Sequence, residues 1–129
     1  MAVKAESKNV RISPRKVAAV AALVRGRTVA DAIVILEHTP RRAALPVLKT
    51  VRSAQANAAH NHNYKADTLR ITEITVNHGN RLKRFRPAAM GRALPYVKRN
   101  SHIRVLVDGE VRPAKKPTAE KQAAKKESK

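Results

Sequence analysis

Seven basic side chains, Arg81, Lys83, Arg84, Arg86, Arg92, Lys98 and Arg99, fall between Gly79 and Asn100 with no acid among them. No Asp or Glu occurs anywhere between Glu73 and Asp108. Cations at this density repel one another in water and are stabilised by a neighbouring polyanion. Five of the seven are arginines, whose planar fork suits phosphate and stacks on bases. The chemistry on offer is phosphate neutralisation with release of counterions, not bond making. A second basic group, Arg11, Arg15, Lys16, Arg25 and Arg27, brackets the apolar run Val17 to Val24. With so few acids to balance them, these five are read as phosphate contacts too, rather than as a solvated polar face.

Other chemistry is poorly represented. The four glycines, Gly26, Gly79, Gly91 and Gly109, form no phosphate-cradling loop of the Walker or dinucleotide kind. No Gly-x-Ser-x-Gly or His-Glu-x-x-His is present. Asp108 and Glu110 are the only close acid pair, and they stand at a strand end. His60 and His62 form a His-x-His pair with only Asp67 near to extend it. A structural zinc needs four ligands, so a surface loop is the preferred reading and no metal or other cofactor is expected. Cysteine is absent, which excludes disulfides and thiol catalysis and suits a reducing compartment. The chain reads as a binding protein and not an enzyme.

The charge extends over the whole chain. Among 129 residues, 28 basic and 9 acidic side chains give a net charge of +19. The stretch Arg112 to Lys129 contributes seven basic and two acidic residues, so removing it still leaves +14. Such an excess points to nucleic acid or an anionic membrane surface. The longest apolar run, Val17 to Val24, is eight residues, too short for a bilayer. Glu6 interrupts the basic segment ahead of it, so no targeting segment is read there.

The elements that must position these cations follow from local pattern. The weak alternation of Val3 and Ala5 with Lys4 and Glu6 suggests an edge strand. Ser13-Pro14 opens a first helix, whose buried face is Val17, Val20, Ala21 and Val24 and whose stop is Gly26. Thr28 to Asp31 forms an imperfect capping box for a second helix lined by Val29, Ala32, Ile33 and Leu36. Thr39-Pro40 repeats the cap-then-proline signal for a third helix reaching about Asn61. Ala44, Val47, Leu48, Val51 and Ala58 form its inner side. Pro46 lies seven residues into that span, which predicts a kink or a later true start. From Leu69 the period is two, with Leu69 and Ile71 out of phase with Ile74 and Val76. A β-bulge near Thr72 and Glu73, or pairing of the second half alone, accounts for the slip. Ile103, Val105 and Val107 alternate again before Asp108-Gly109. Two strands joined by residues 79–100 predict a protruding β-hairpin, with two arms of eleven residues reaching about 35 Å at ~3.3 Å per residue. The chain is expected to form one basic globular domain over residues 1–111, hairpin included, followed by a basic disordered tail over 112–129.

Several motifs in order resemble one family. They are Ser-Pro-Arg-Lys-Val (13–17), Leu-Val-Arg-Gly-Arg (23–27), Ser-Ala-Gln-Ala-Asn-Ala (53–58), Lys-Arg (83–84), Pro-Ala-Ala-Met-Gly-Arg-Ala (87–93) and Lys-Arg-Asn-Ser-His-Ile (98–103). Over about Asn9 to Asp108 the chain resembles the bacterial large-subunit ribosomal protein twenty-two family. The resemblance implies an α+β fold of three helices on a small three-stranded antiparallel sheet, plus a long hairpin. It implies a structural constituent of the large ribosomal subunit that binds 23S ribosomal RNA and aids assembly. It also implies neighbouring large-subunit proteins as partners and a place in the cytoplasmic ribosome, with no membrane partner and no homo-oligomer. Ser13, within the first motif, joins the RNA-contacting set. The hairpin would thread the RNA along Arg81 to Arg86 and Arg92 to Arg99. Its tip, Pro87, Ala88, Ala89, Met90 and Gly91, would line the peptide exit tunnel beside the nascent peptide. Many members carry a basic residue where Ala88 or Met90 stands, so this tip is less charged. Pro95 in the returning arm is expected to interrupt the ladder.

Two other classes share some of these features. A DNA-compacting architectural protein also uses basic β-arms, with Pro87 as a candidate wedge. A membrane-active cationic protein would need broader apolar stripes than these Ala-rich ones. The scarcity of aromatics, one Phe and two Tyr, favours recognition of a folded RNA shape over stacking of splayed single strands.

Overall fold

The computed structural model describes residues 2–112. The chain runs through strand β1 (Val3–Val10), helices α1 (Pro14–Val24), α2 (Val29–His38) and α3 (Ala44–Asn61), then strands β2 (Arg70–Pro87) and β3 (Ala93–Asp108). Short 3-10 turns at Ala66–Thr68 and Ala89–Gly91 precede and follow β2. The class is α+β, as expected. β3 is the central strand, antiparallel to β1 on one side and to β2 on the other. Register sets Val3 and Ile71 beside Val107, and Ala5 and Ile74 beside Val105. These residues are buried under the helices with Val17, Val20 and Val24, Val29 and Leu36, and Val47 and Val51. The core is aliphatic, with Tyr64 its one buried aromatic.

The phase slip before Ile74 is a bulge. Ile71 stands opposite Val107 and Glu73 opposite Leu106, so Thr72 is the extra residue. The insertion lets both Ile71 and Ile74 face inward although three positions separate them. β1 is an edge strand, as its alternation suggested.

Helix starts and stops follow local chemistry with two amendments. Ser13 holds the N-cap position of α1 with Pro14 behind it, but its side chain makes no capping bond. Gly26 (φ +75°) adopts the left-handed turn after Arg25 that a side chain resists. Its N–H donates to the Ile71 carbonyl at 3.1 Å, and the Ile71 N–H returns a bond to the Arg27 carbonyl at 2.9 Å. The helix ending is thereby tied to β2. At α2 the Thr28 hydroxyl accepts from the Asp31 N–H (3.2 Å) and donates to its carboxylate (2.7 Å), a cap closed within two residues.

The third helix does not start at Thr39. Thr39 ends α2, its hydroxyl donating to the Ile35 carbonyl at 2.6 Å, and α3 begins at Ala44. Pro46 is then its third residue, inside the first turn, where a missing N–H leaves no helical bond unmade. The later of the two expected starts is the observed one.

The hairpin leaves the sheet at an irregularity. His78 pairs with Ser101 and Arg81 with Arg99, so Gly79 and Asn80 together face Asn100. A Cβ on Gly79 would stand 3.1 Å from the Asn100 carbonyl carbon, which is why a glycine fits there. The ladder then runs through seven consecutive pairs, from Arg81–Arg99 to Pro87–Ala93, about 23 Å at ~3.3 Å per residue. That is shorter than the sequence estimate because the bulge and the five-residue tip take up the remainder. Pro95 does not interrupt it: Phe85 pairs with Pro95 and the register continues. A two-stranded ribbon has a free side on each strand, where a missing N–H costs no ladder bond. At the tip, the Ala88 N–H donates to the Arg92 carbonyl (2.8 Å). Met90 and Gly91 there have φ of +57° and +69°.

Candidate nucleic-acid interface

The arm is almost wholly surface. All seven basic residues between Arg81 and Arg99 are exposed. Arg81 and Arg99 stand directly opposite each other, a like-charge pair that opposes ribbon formation in water. Among the described residues the ion pairs are Lys4–Glu6 (3.4 Å), Arg52–Glu37 and Lys65–Glu110 (3.6 Å), and none involves the arm. Among the described residues the arm's cations thus have no ion-pair partner.

Register adds a feature that composition hid. Along the arm, cation and apolar residue face each other in turn: Leu82 with Lys98, Lys83 with Val97, Arg84 with Tyr96 and Arg86 with Leu94. Phe85 is 74% exposed and Tyr96 38% exposed. Two of the chain's three aromatics thus lie on the arm beside arginines, where each offers a face for a base. The low aromatic count hid where the rings lie. Reading Phe85 and Tyr96 against the basic run, and not against the whole chain, would have found them.

The cations around α1 divide into two groups. Arg11, Arg15 and Lys16 are exposed near its start, and Arg25 and Arg27 are exposed past its end. The eight helical residues Val17 to Val24 separate Lys16 from Arg25, about 12 Å at ~1.5 Å per residue. Arg25 Nη2 donates to the Ile74 carbonyl at 3.2 Å, and Arg27 Nε donates to the Leu23 carbonyl at 2.9 Å. Both guanidiniums thus also hold structure, with donors left over. Ser13 is half-buried beside the first group.

The fold also brings Arg41 and Arg42, exposed in the α2–α3 connection, alongside Arg11, Ser13 and Lys16. These two escaped the sequence reading because Thr39-Pro40 placed them inside a helix. The tip residues Pro87, Ala89, Met90 and Gly91 are exposed, Met90 at 96%, and Ala88 is half-buried. Among the described residues no group of three His, Cys, Asp or Glu side chains is placed to hold a metal ion. His62 instead lies 6.3 Å, ring centre to ring centre, from Tyr64. No helix among the described residues is long and apolar enough to cross a membrane.

This arrangement of a small helix-covered sheet with a basic two-stranded arm agrees with the family suggested by the motifs. The profile of the family described as ribosomal protein L22p/L17e matches residues 5–108, from β1 to the end of β3. The chain belongs to that family. Among similar curated proteins, the large ribosomal subunit protein uL22 of Oceanobacillus iheyensis is 54% identical over 107 residues, 83% of this chain and 95% of that one. That of Lactobacillus helveticus is 52% identical over 104 residues, covering 81% and 89%. That of Clostridioides difficile is 50% identical over 107 residues, covering 83% and 96%. The L22p/L17e match spans the arm and the cations around α1. It stops short of the basic stretch from Arg112 on, and residues 113–129, expected to be a tail, lie outside the described residues.

Proposed function

We propose that the protein is a structural, non-catalytic constituent of the large ribosomal subunit that holds 23S ribosomal RNA by its arm and by the cations around α1. Family membership supports the ribosomal part. One observation carries the RNA part: a seven-pair ribbon that with its tip bears seven exposed cations, an Arg81–Arg99 opposition and no acid of its own. Such a ribbon is stable in one shape only with phosphate around it. Arg81, Lys83, Arg84, Arg86, Arg92, Lys98 and Arg99 take phosphates along the arm. Arg11, Ser13, Arg15 and Lys16 take them at the start of α1, and Arg25 and Arg27 at its end. Phe85 and Tyr96 pack on sugars or bases between them.

The tip, Pro87 to Gly91, is assigned to the wall of the peptide exit tunnel, next to the nascent peptide. Its small residues suit a crowded passage, and the exposed Met90 offers an adaptable apolar contact. Neighbouring subunit proteins are the further partners, in the cytoplasmic ribosome. Residues 1–111 act as one RNA-binding unit.

The test is co-sedimentation of the full chain with large subunits in high salt, with binding to large-subunit RNA and generic duplex DNA compared at matched salt. Retention on the subunit and preference for the RNA are expected. Release at moderate salt, or equal affinity for generic duplex, would overturn the proposal in favour of a DNA-binding arm.

A further inference from the structure

We propose that the root of the arm carries a second nucleic-acid site, a cationic groove that seats a turned segment of RNA backbone on the folded domain itself. The site rests on the reading of the protein as RNA-binding and adds to it residues outside the arm and α1. Two hollows adjoin there. The first, of about 520 Å³, lies between the β1–α1 connection and the α2–α3 connection and is lined by Arg11, Ile12, Ser13, Lys16, Arg41 and Arg42. The second, of about 390 Å³, lies at the arm root between Arg11, Arg42, Leu82, Lys98, Arg99 and Asn100. Arg11 and Arg42 line both, so the hollows form one groove with those two side chains along the middle.

Four separate chain segments build this groove, and three of them contribute its six cations, with no acid in the lining. None of the six takes part in the ion pairs among the described residues. Each hollow is of the size that holds a nucleotide-sized group, roughly 300–1,000 Å³. Ile12 and Leu82 supply apolar floor against which a ribose or base edge can pack. Arg11 and Arg42 can fork to phosphates on either side of the divide, so a strand that occupies both hollows must turn over them. The partner is RNA because Lys98 and Arg99 belong to both groove and arm: an RNA held by the arm passes directly over the groove.

The groove is also better prepared than the arm. Its walls are fixed by backbone bonds: Ile12 N–H to the Val10 carbonyl (2.8 Å), Arg41 N–H to Thr39 (2.7 Å) and Ala44 N–H to Arg41 (2.9 Å). A preformed site loses little freedom on binding. The arm is a two-stranded ribbon, marginal by itself in water. The half of the groove built from the β1–α1 and α2–α3 connections therefore contributes affinity that does not depend on how the arm is seated.

The test replaces Arg41→Ala and Arg42→Ala together in the full chain and measures binding to transcribed large-subunit RNA across a salt series. The plot of log affinity against log salt should flatten by about 1.4–1.8, and affinity at 0.1 M salt should fall about 25- to 60-fold. The loss should add, in logarithm, to that of Arg84→Ala with Arg92→Ala on the arm. An unchanged slope for the groove variant with a loss for the arm variant would overturn the groove and leave the RNA-binding reading standing. No change in either variant would overturn both. Melting curves establish that the variants fold. Independently of any variant, phenylglyoxal modification of the wild-type chain should be suppressed at Arg41 and Arg42 by the RNA. Equal reactivity with and without RNA would refute the site.

Discussion

Replacing Arg84 and Arg92 together by alanine isolates the arm's electrostatic contribution. Both side chains are exposed. Arg84 faces Tyr96 across the ladder, and its Nη1 makes one local bond, to the Lys83 carbonyl at 2.9 Å. Arg92 closes the tip through its backbone carbonyl, which alanine retains. Exposed substitutions of this kind should change folding stability by no more than about 0.5 kcal/mol. Binding should change far more. Each lost phosphate contact lowers the slope of log affinity on log salt by ~0.7–0.9, so two lower it by about 1.4–1.8. Taking 1 M salt as the reference, that is about 25- to 60-fold at 0.1 M, or roughly 1.9–2.4 kcal/mol. Filter binding or fluorescence titration of the RNA from 0.05 to about 0.4 M salt reads the slope directly. Arg52→Ala serves as the control, because Arg52 is already paired with Glu37 and should shift the slope little. If the double variant keeps the wild-type slope while melting normally, the arm does not contact phosphate through these residues, and the account of the arm as a charge-driven probe fails.

Two further outcomes test the architecture. Gly79→Ala brings a Cβ to 3.1 Å from the carbonyl carbon and 3.3 Å from the carbonyl oxygen of Asn100; forcing these strands apart should cost about 1 kcal/mol and lower the melting point by about 4 °C. An unaltered melting point would mean the arm root has slack that the close approach denies. Deleting Pro87 to Gly91 removes no fully buried residue, so the helical circular dichroism signal should persist. Its collapse would make the tip part of the folding unit.

Much of the fold was legible because its determinants are local. Ser13-Pro14 and Gly26 bounded α1 through backbone conformations that depend on one or two residues. The displaced alternation between Ile71 and Ile74 announced a bulge because a strand's two faces are set by counting. Local rules misled where more than one local solution existed. Thr39-Pro40 carries a helix-start signal, yet Thr39 bonds back to Ile35 and finishes α2. The start at Ala44, which seats Pro46 in the first turn, prevailed. Pro95 looked like a break because a proline removes a donor, but only pairing decides whether that donor faced a partner.

The site divides in the same way. The arm's charge, its lack of acids and the pairing of its two strands are properties of consecutive residues, so the chain by itself determined a basic hairpin with no acid of its own. The groove could not be read that way. Thirty-one positions separate Arg11 from Arg42, and fifty-seven separate Arg42 from Arg99. No local pattern marks them as neighbours. They meet because the apolar faces of α1 and α3 are both buried against the sheet, and hydrophobic burial is indifferent to the distance along the chain between the groups it brings together. Tertiary packing alone decided that these scattered arginines share one surface with the foot of the arm.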